Sequence, residues 1–154
     1  MKYGNTRVLV FCLLILALGC GPSPRRQAAD REAIHAMLSA YLPKLAEAYA
    51  TGDAQTLKPL AAEKEISSVA KRIGDLADQG RVLKPSLRSF TIEAVEIWNA
   101  TNAYVTTVEI WDLHVYASGT DTQLSQELEQ SNRVKYQLKR ENGQWFVLYR
   151  TIQE

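Results

Sequence analysis

The chain has 154 residues, with 18 Lys and Arg against 17 Asp and Glu and a hydrophobic content of 46%. These are globular proportions and exclude a disordered or fibrous chain; a formal charge of +1 argues against gripping nucleic acid by bulk electrostatics. Two cysteines, Cys12 and Cys20, are too few for a disulfide framework or a cysteine-built zinc site.

Lys2 and Arg7 precede an unbroken apolar run of 11 residues, Val8 to Leu18. A bilayer-spanning helix needs roughly 20 residues, so the run reads as a signal-peptide core. It ends in Leu16-Ala17-Leu18-Gly19-Cys20, which resembles the bacterial lipoprotein signal, with Ala17 where leucine is usual. The resemblance implies removal of residues 1–19 and lipidation of Cys20, with a thioether-linked diacylglycerol and usually an acylated amine (palmitate or a similar chain). Two or more acyl chains anchor a protein stably where one is marginal. Gly21 to Arg26 (GPSPRR) reads as part of a tether spanning 20–28, ahead of one domain at 29–154. The expected location is the bacterial cell envelope. Gly21 after the cysteine favours the outer membrane, facing the periplasm, if the source is Gram-negative.

Ile34, Leu38, Tyr41, Leu42, Leu45 and Tyr49 recur at steps of three and four and predict one helix over Gln27 to Thr51. Pro43 predicts a bend near Ala40 to Leu42. Gly52 stops the helix, and Asp53 can cap a short one at Ala54 to Leu57. A further helix runs from about Glu63 to Gln79, with Gly80 at its C-terminal cap. From there the period is two. Strands are predicted at Leu87 to Trp98, Ala103 to Ala117, Asn132 to Arg140 and Trp145 to Ile152, and 118–129 reads as a polar loop. In the run 103–117 neither parity is cleanly apolar, and a bulge that swaps faces midway would explain it.

Asn142-Gly143 predicts a two-residue hairpin turn and with it a register. Leu138 then opposes Val147, Tyr136 opposes Tyr149 and Val134 opposes Thr151, forming with Trp145 the core face. The other face pairs Lys139 with Phe146, Gln137 with Leu148, Lys135 with Arg150, and Arg133 with Ile152. It leaves Phe146, Leu148 and Ile152 as an apolar row, a candidate surface for a protein partner or a second copy. The alternative is that loop 118–130 folds over the row with Leu124 and Leu128.

A helix with Tyr41 and Tyr49, Gly52-Asp53, long curved strands, and the ending Tyr136-x-Leu138-x-Arg140-x-x-Gly143-x-Trp145 together resemble the NTF2-like superfamily. That is an α+β cone of N-terminal helices on a strongly curved antiparallel sheet, which includes SnoaL-like and ketosteroid-isomerase-like proteins. Val105-Thr106-Thr107-Val108-Glu109-Ile110-Trp111 is most similar to the IMS domains of the plastid division protein family. The matching positions are mostly core and turn residues, so the resemblance implies a fold more than an activity.

Enzymes of that superfamily place acid–base residues inside the cone, and Tyr41, Asp53, Asp112, His114 and Tyr116 are of suitable type. Asp112 and His114 lie two apart on one strand face and are the catalytic candidates, about 6.5–7 Å apart at the backbone. His35 and His114 lack the partners that a metal shell requires, so neither a metal nor another cofactor is expected. Glu109 calls for a buried partner, Lys135 or Arg150. Trp98, Trp111 and Trp145 read as core. Two functions follow: a non-enzymatic, lipid-anchored module that binds a protein or peptide, or a small-molecule binder or lyase/isomerase that uses the cone cavity. An open cavity lined by polar groups favours the second; a filled cone and an exposed apolar sheet face favour the first.

Overall fold

The computed structural model describes residues 24–153. The signal segment 1–19, Cys20 and residues 21–23 of the tether lie outside the described residues. None of the described helices is long and apolar enough to cross a membrane.

Two helices pack on one four-stranded antiparallel sheet. Helix α1 (Pro24–Thr51) leads through a short 3-10 turn (Ala54–Leu57) to α2 (Glu63–Asp78), and strands β1 (Arg81–Asn99), β2 (Asn102–Ala117), β3 (Gln123–Glu141) and β4 (Gln144–Gln153) follow. The strands lie in chain order, each hydrogen-bonded to the next. Helix α1 starts inside the expected tether and continues through Pro43 without a break. Its stripe of Ile34, Leu38, Tyr41, Leu42, Leu45 and Tyr49 is buried along its length, so packing holds the helix together across the missing N–H. Asp53 caps the 3-10 turn by accepting from the Gln55 N–H at 2.9 Å. Gly80 follows α2 at φ +66°, a conformation that suits glycine.

β1 begins at Arg81, six residues before the expected start, and takes in Pro85. β1 is an edge strand, where the missing N–H of proline costs no ladder bond. β3 begins at Gln123, inside the segment expected to be a loop. Its first half is exposed on both faces and therefore carries no apolar alternation, yet its backbone pairs with Leu113 to Tyr116 of β2. Leu124 and Leu128 stay 52% and 53% exposed, so this segment does not fold over a sheet face as a cover.

β2 does not swap faces. Ala103, Val105, Thr107, Glu109 and Trp111 all point inward and are buried. The bulges are in its neighbours: one extra residue at Arg88, at Glu93 and at Trp98 in β1, and in β3 one at Leu124 and one at Leu128-Glu129, where Glu129 has φ +56°. Repeated bulging of the strands around a regular β2 curves the sheet around the helices. Trp111 and Trp145 are core, but Trp98 sits at a bulge and is 58% exposed, against the ring of Tyr104 on the outer face.

The closing hairpin turns at Asn142 and Gly143, both with positive φ, as expected. Leu138 opposes Val147 and Lys139 opposes Phe146, also as expected. Leu148 is then an extra residue, and beyond it every pair shifts by one: Tyr136 opposes Arg150, Lys135 opposes Thr151, and Val134 opposes Ile152. Tyr136, Leu138, Trp145 and Val147 are buried together. The apolar row of Phe146, Leu148 and Ile152 is divided. Phe146 stays outside, Leu148 is the bulge, and Ile152 moves to the inner face beside Val134.

Candidate functional site: a charged cavity at the mouth of the cone

The Leu148 bulge decides the interior of the cone. One extra residue turns the side chain of Arg150 inward, where it is 7% exposed and its Nε donates to Glu65 Oε1 at 2.8 Å. The Arg150 N–H donates to Glu65 Oε2 at 3.2 Å, and the Tyr41 hydroxyl donates to Oε1 at 2.8 Å. Glu65 lies on α2 next to Ile66, on the buried stripe, and is 1% exposed. Burial opposes the charge on Arg150; the acidic groups around it, Tyr41, Tyr136 and Glu65, outweigh that, and its pKa is raised.

Glu109 is the second buried acid, 1% exposed. Neither Lys135 nor Arg150 satisfies it. Its Oε1 accepts from the Tyr136 and Thr107 hydroxyls at 2.5 and 2.8 Å, and its Oε2 accepts from Trp111 Nε1 at 2.9 Å. Thr107, Glu109 and Trp111 are alternate residues of one strand, so a polar ladder occupies positions that would otherwise hold apolar core. Lys135 lies on the outer face, over the ring of Tyr104. The rings of Tyr41 and Tyr136 meet edge to face at 6.1 Å, which joins the two acid clusters.

Beside this network is an open cavity of about 200 Å³. Its apolar wall includes Leu45, Leu83, Trp111, Leu113 and Val134, and Ile152 stands at its edge. Tyr49, Arg72, Glu109, Asn132 and Arg150 contribute polar groups. A dry cavity of roughly 150 Å³ takes a benzene ring, so this volume suits a ring-sized ligand with one substituent.

The expected pair Asp112 and His114 lies on the outer face, away from this cavity, because even-numbered β2 residues point outward. Asp112 accepts both oxygens' worth of bonds from Arg88 Nε, at 2.8 and 2.7 Å, and the Glu129 N–H at 2.9 Å. Arg88 and Glu129 are bulge residues of the two flanking strands, so Asp112 ties one bulge to the other. The hydrogen bond from Arg88 is the main cause of its lowered pKa. His114 makes no hydrogen bond to Asp112, and its Nδ1 is buried without a partner among the described residues. Among the other candidates, Asp53 serves as a cap, Tyr116 bonds Gln123 at 3.4 Å, and His35 stacks on Phe90 at 5.3 Å. Only Tyr41 of that set belongs to the buried network. Glu65, Asn132 and Arg72 were not foreseen; the signal for Glu65 was a charge placed one residue before Ile66 on an apolar stripe.

No curated protein matches the chain in sequence. In structure it is similar to the intermembrane space region of chloroplast protein ARC6, at 12% identity over 86% of this chain and 98% of that one, with a TM-score of 0.64. A protein of unknown function from Mycobacterium tuberculosis aligns at 14% identity over 88% and 77% of the two chains, with a TM-score of 0.55. A ketosteroid isomerase-like protein from Erwinia carotovora atroseptica aligns at 13% over 77% and 91%, with a TM-score of 0.51. At these identities the likeness shows a shared NTF2-like fold and no activity. The sequence profile of the ARC6-like IMS domain matches residues 46–147, from the second half of α1 to the closing hairpin, and the chain belongs to that family.

Proposed function

We propose that this protein is a non-enzymatic binding module of the bacterial cell envelope, held to a membrane by lipid on Cys20, and that its ligand enters the mouth of the cone. The observation that supports this most is the combination of an open, mostly apolar cavity with two buried carboxylates that are already engaged. A general base must reach the substrate proton with a free lone pair. Glu109 accepts three hydrogen bonds and Glu65 accepts three, which fill most of the roughly four acceptor positions of each carboxylate, so proton abstraction by either would work against the donors that hold its charge. The same rigidity suits binding, because a fixed wall loses little entropy when a ligand arrives. Toluene, a neutral apolar probe, is expected to bind the wild-type protein and to lose binding in Leu113→Trp, whose larger ring fills the mouth. Isothermal calorimetry with circular dichroism of the variant checks this. Equal toluene binding by a folded Leu113→Trp variant would remove the cavity from the proposal.

A second reading, a protein partner or second copy on the outer sheet face, draws on Trp98 and Tyr104 with Lys135 over the tyrosine ring. Exposed aromatic groups of this sort are common at interfaces.

Lipidation is tested separately. Cys20→Ala is expected to leave the protein unprocessed or to release it from the membrane fraction. Mass spectrometry of the mature N-terminus that found an unmodified residue other than Cys20 would contradict the anchor.

A further inference from the structure

The cavity wall is unequal in its polar atoms. Arg150 is more than nine-tenths buried, yet it lines the cavity; its Nε and backbone N–H hold Glu65, and its side chain also bonds the Tyr41 hydroxyl. Beyond the bonds to Glu65 and Tyr41 its Nη groups have no partner among the described residues, and they are not among the sealed, unpartnered polar atoms, which are His114 Nδ1 and Trp145 Nε1. They therefore keep contact with the open volume. An arginine in such a place retains N–H donors for whatever enters. Arg72, exposed on α2, lines the same cavity and makes no ion pair among the described residues. The Tyr49 hydroxyl and the Asn132 amide, also on the wall, have no partner among the described residues. Each of these four groups can donate. Both acids are held by the network: Glu65 pairs with Arg150 from behind, and Glu109, also on the wall, accepts from Tyr136, Thr107 and Trp111.

We infer that the cavity is specific for small apolar carboxylic acids, with the carboxylate on the Nη groups of Arg150 and the apolar body against Trp111, Leu113 and Val134. This rests on the mouth of the cone being the binding site. The planar guanidinium can turn its remaining Nη donors to the oxygens of a carboxylate, and a charge-assisted pair is about twice as strong as a neutral one. Arg72, nearer solvent, adds attraction that salt weakens. The apolar wall and the cavity volume limit the body to about the size of one ring. A strongly hydrated divalent anion such as phosphate has no use for that wall.

The test compares phenylacetate with its neutral counterpart phenylacetamide, by calorimetry on the wild-type protein at low salt, with toluene as reference. Phenylacetate is expected to bind at least about tenfold more tightly than the amide. Arg72→Ala, at an exposed position, is expected to weaken phenylacetate severalfold and toluene much less. Because Arg150→Gln alone strands Glu65, the double variant Glu65→Gln/Arg150→Gln is used; it is expected to lose the preference for the acid except for the severalfold part that Arg72 supplies. Amide binding as tight as acid binding in the wild type, or toluene binding without phenylacetate binding, would overturn the acid specificity and leave the cavity as a ligand site. Failure of all three probes would overturn both.

Discussion

Glu65→Leu is expected to destabilise the domain by about 3–5 kcal/mol, the usual cost of leaving one partner of a buried ion pair without the other. Arg150 would remain inside the cone with its Nε and backbone N–H aimed at a methyl group, and the Tyr41 hydroxyl would lose its acceptor as well. Arg150→Met is expected to cost a similar amount, because it strands a carboxylate that is 1% exposed. The double variant Glu65→Leu/Arg150→Met removes both charges and is expected to recover most of the loss, since hydrophobic replacement of a whole buried pair is often neutral. Urea melts of the three variants form the cycle. Two single losses below about 1 kcal/mol, or additive losses in the double variant, would show that the pair is not coupled in the folded protein.

The domain is also expected to lose stability steeply above pH 10. Tyr41 and Tyr136 have pKa values raised well above the ordinary 10.0, chiefly by burial; Glu65 and Glu109 beside them add to the rise and Arg150 reduces it. In the unfolded chain both phenols ionise near pH 10. Below that value the two states bind the same protons and the stabilising contribution is complete. As pH rises past 10 the unfolded chain releases protons that the folded one retains, and stability falls until the folded values are reached. The slope approaches about 1.4 kcal/mol per pH unit for each tyrosine, roughly 2.7 for both. Denaturant melts from pH 8 to 11.5 measure it, and Tyr41→Phe/Tyr136→Phe is expected to flatten the curve. A wild-type curve flat through pH 11 would mean that these hydroxyls are not buried.

Local patterns in the sequence located most of the elements, and the places where they fell short share a physical cause. The stripe of α1, the Asp53 cap and the Asn142-Gly143 turn are each set by a few neighbouring residues, so spacing alone reveals them. The Leu148 bulge is different. Val147, Leu148 and Tyr149 are all compatible with either face, and nothing local says that one of them is extra. What decides is Glu65, 85 residues from Arg150 and ready to pair with it once the strand shifts. The error in register carried over to the site, because it placed Arg150 outside and Ile152 in an outward row. Thr107 and Glu109 misled in the same way: polar residues at core positions look like a change of face until Tyr136 and Trp111 are seen to satisfy them. The first half of β3 was hidden because a strand exposed on both sides has no apolar alternation to detect. Asp112 and His114 do share a face, as the period of two requires, but it is the outer one.

The central claim is that ligands enter the cone mouth beside Arg150 and do not settle on the outer sheet face. Methyl NMR of the purified protein titrated with phenylacetate tests it most directly. The methyl groups of Leu83, Leu113, Val134 and Ile152 line or edge the cavity, whereas those of Val108 and Ile110 lie on the opposite face of β2. Saturable shifts confined to the first set, and reduced in Arg72→Ala, are expected. Shifts confined to Val108 and Ile110, with the cavity methyls unmoved, would contradict it.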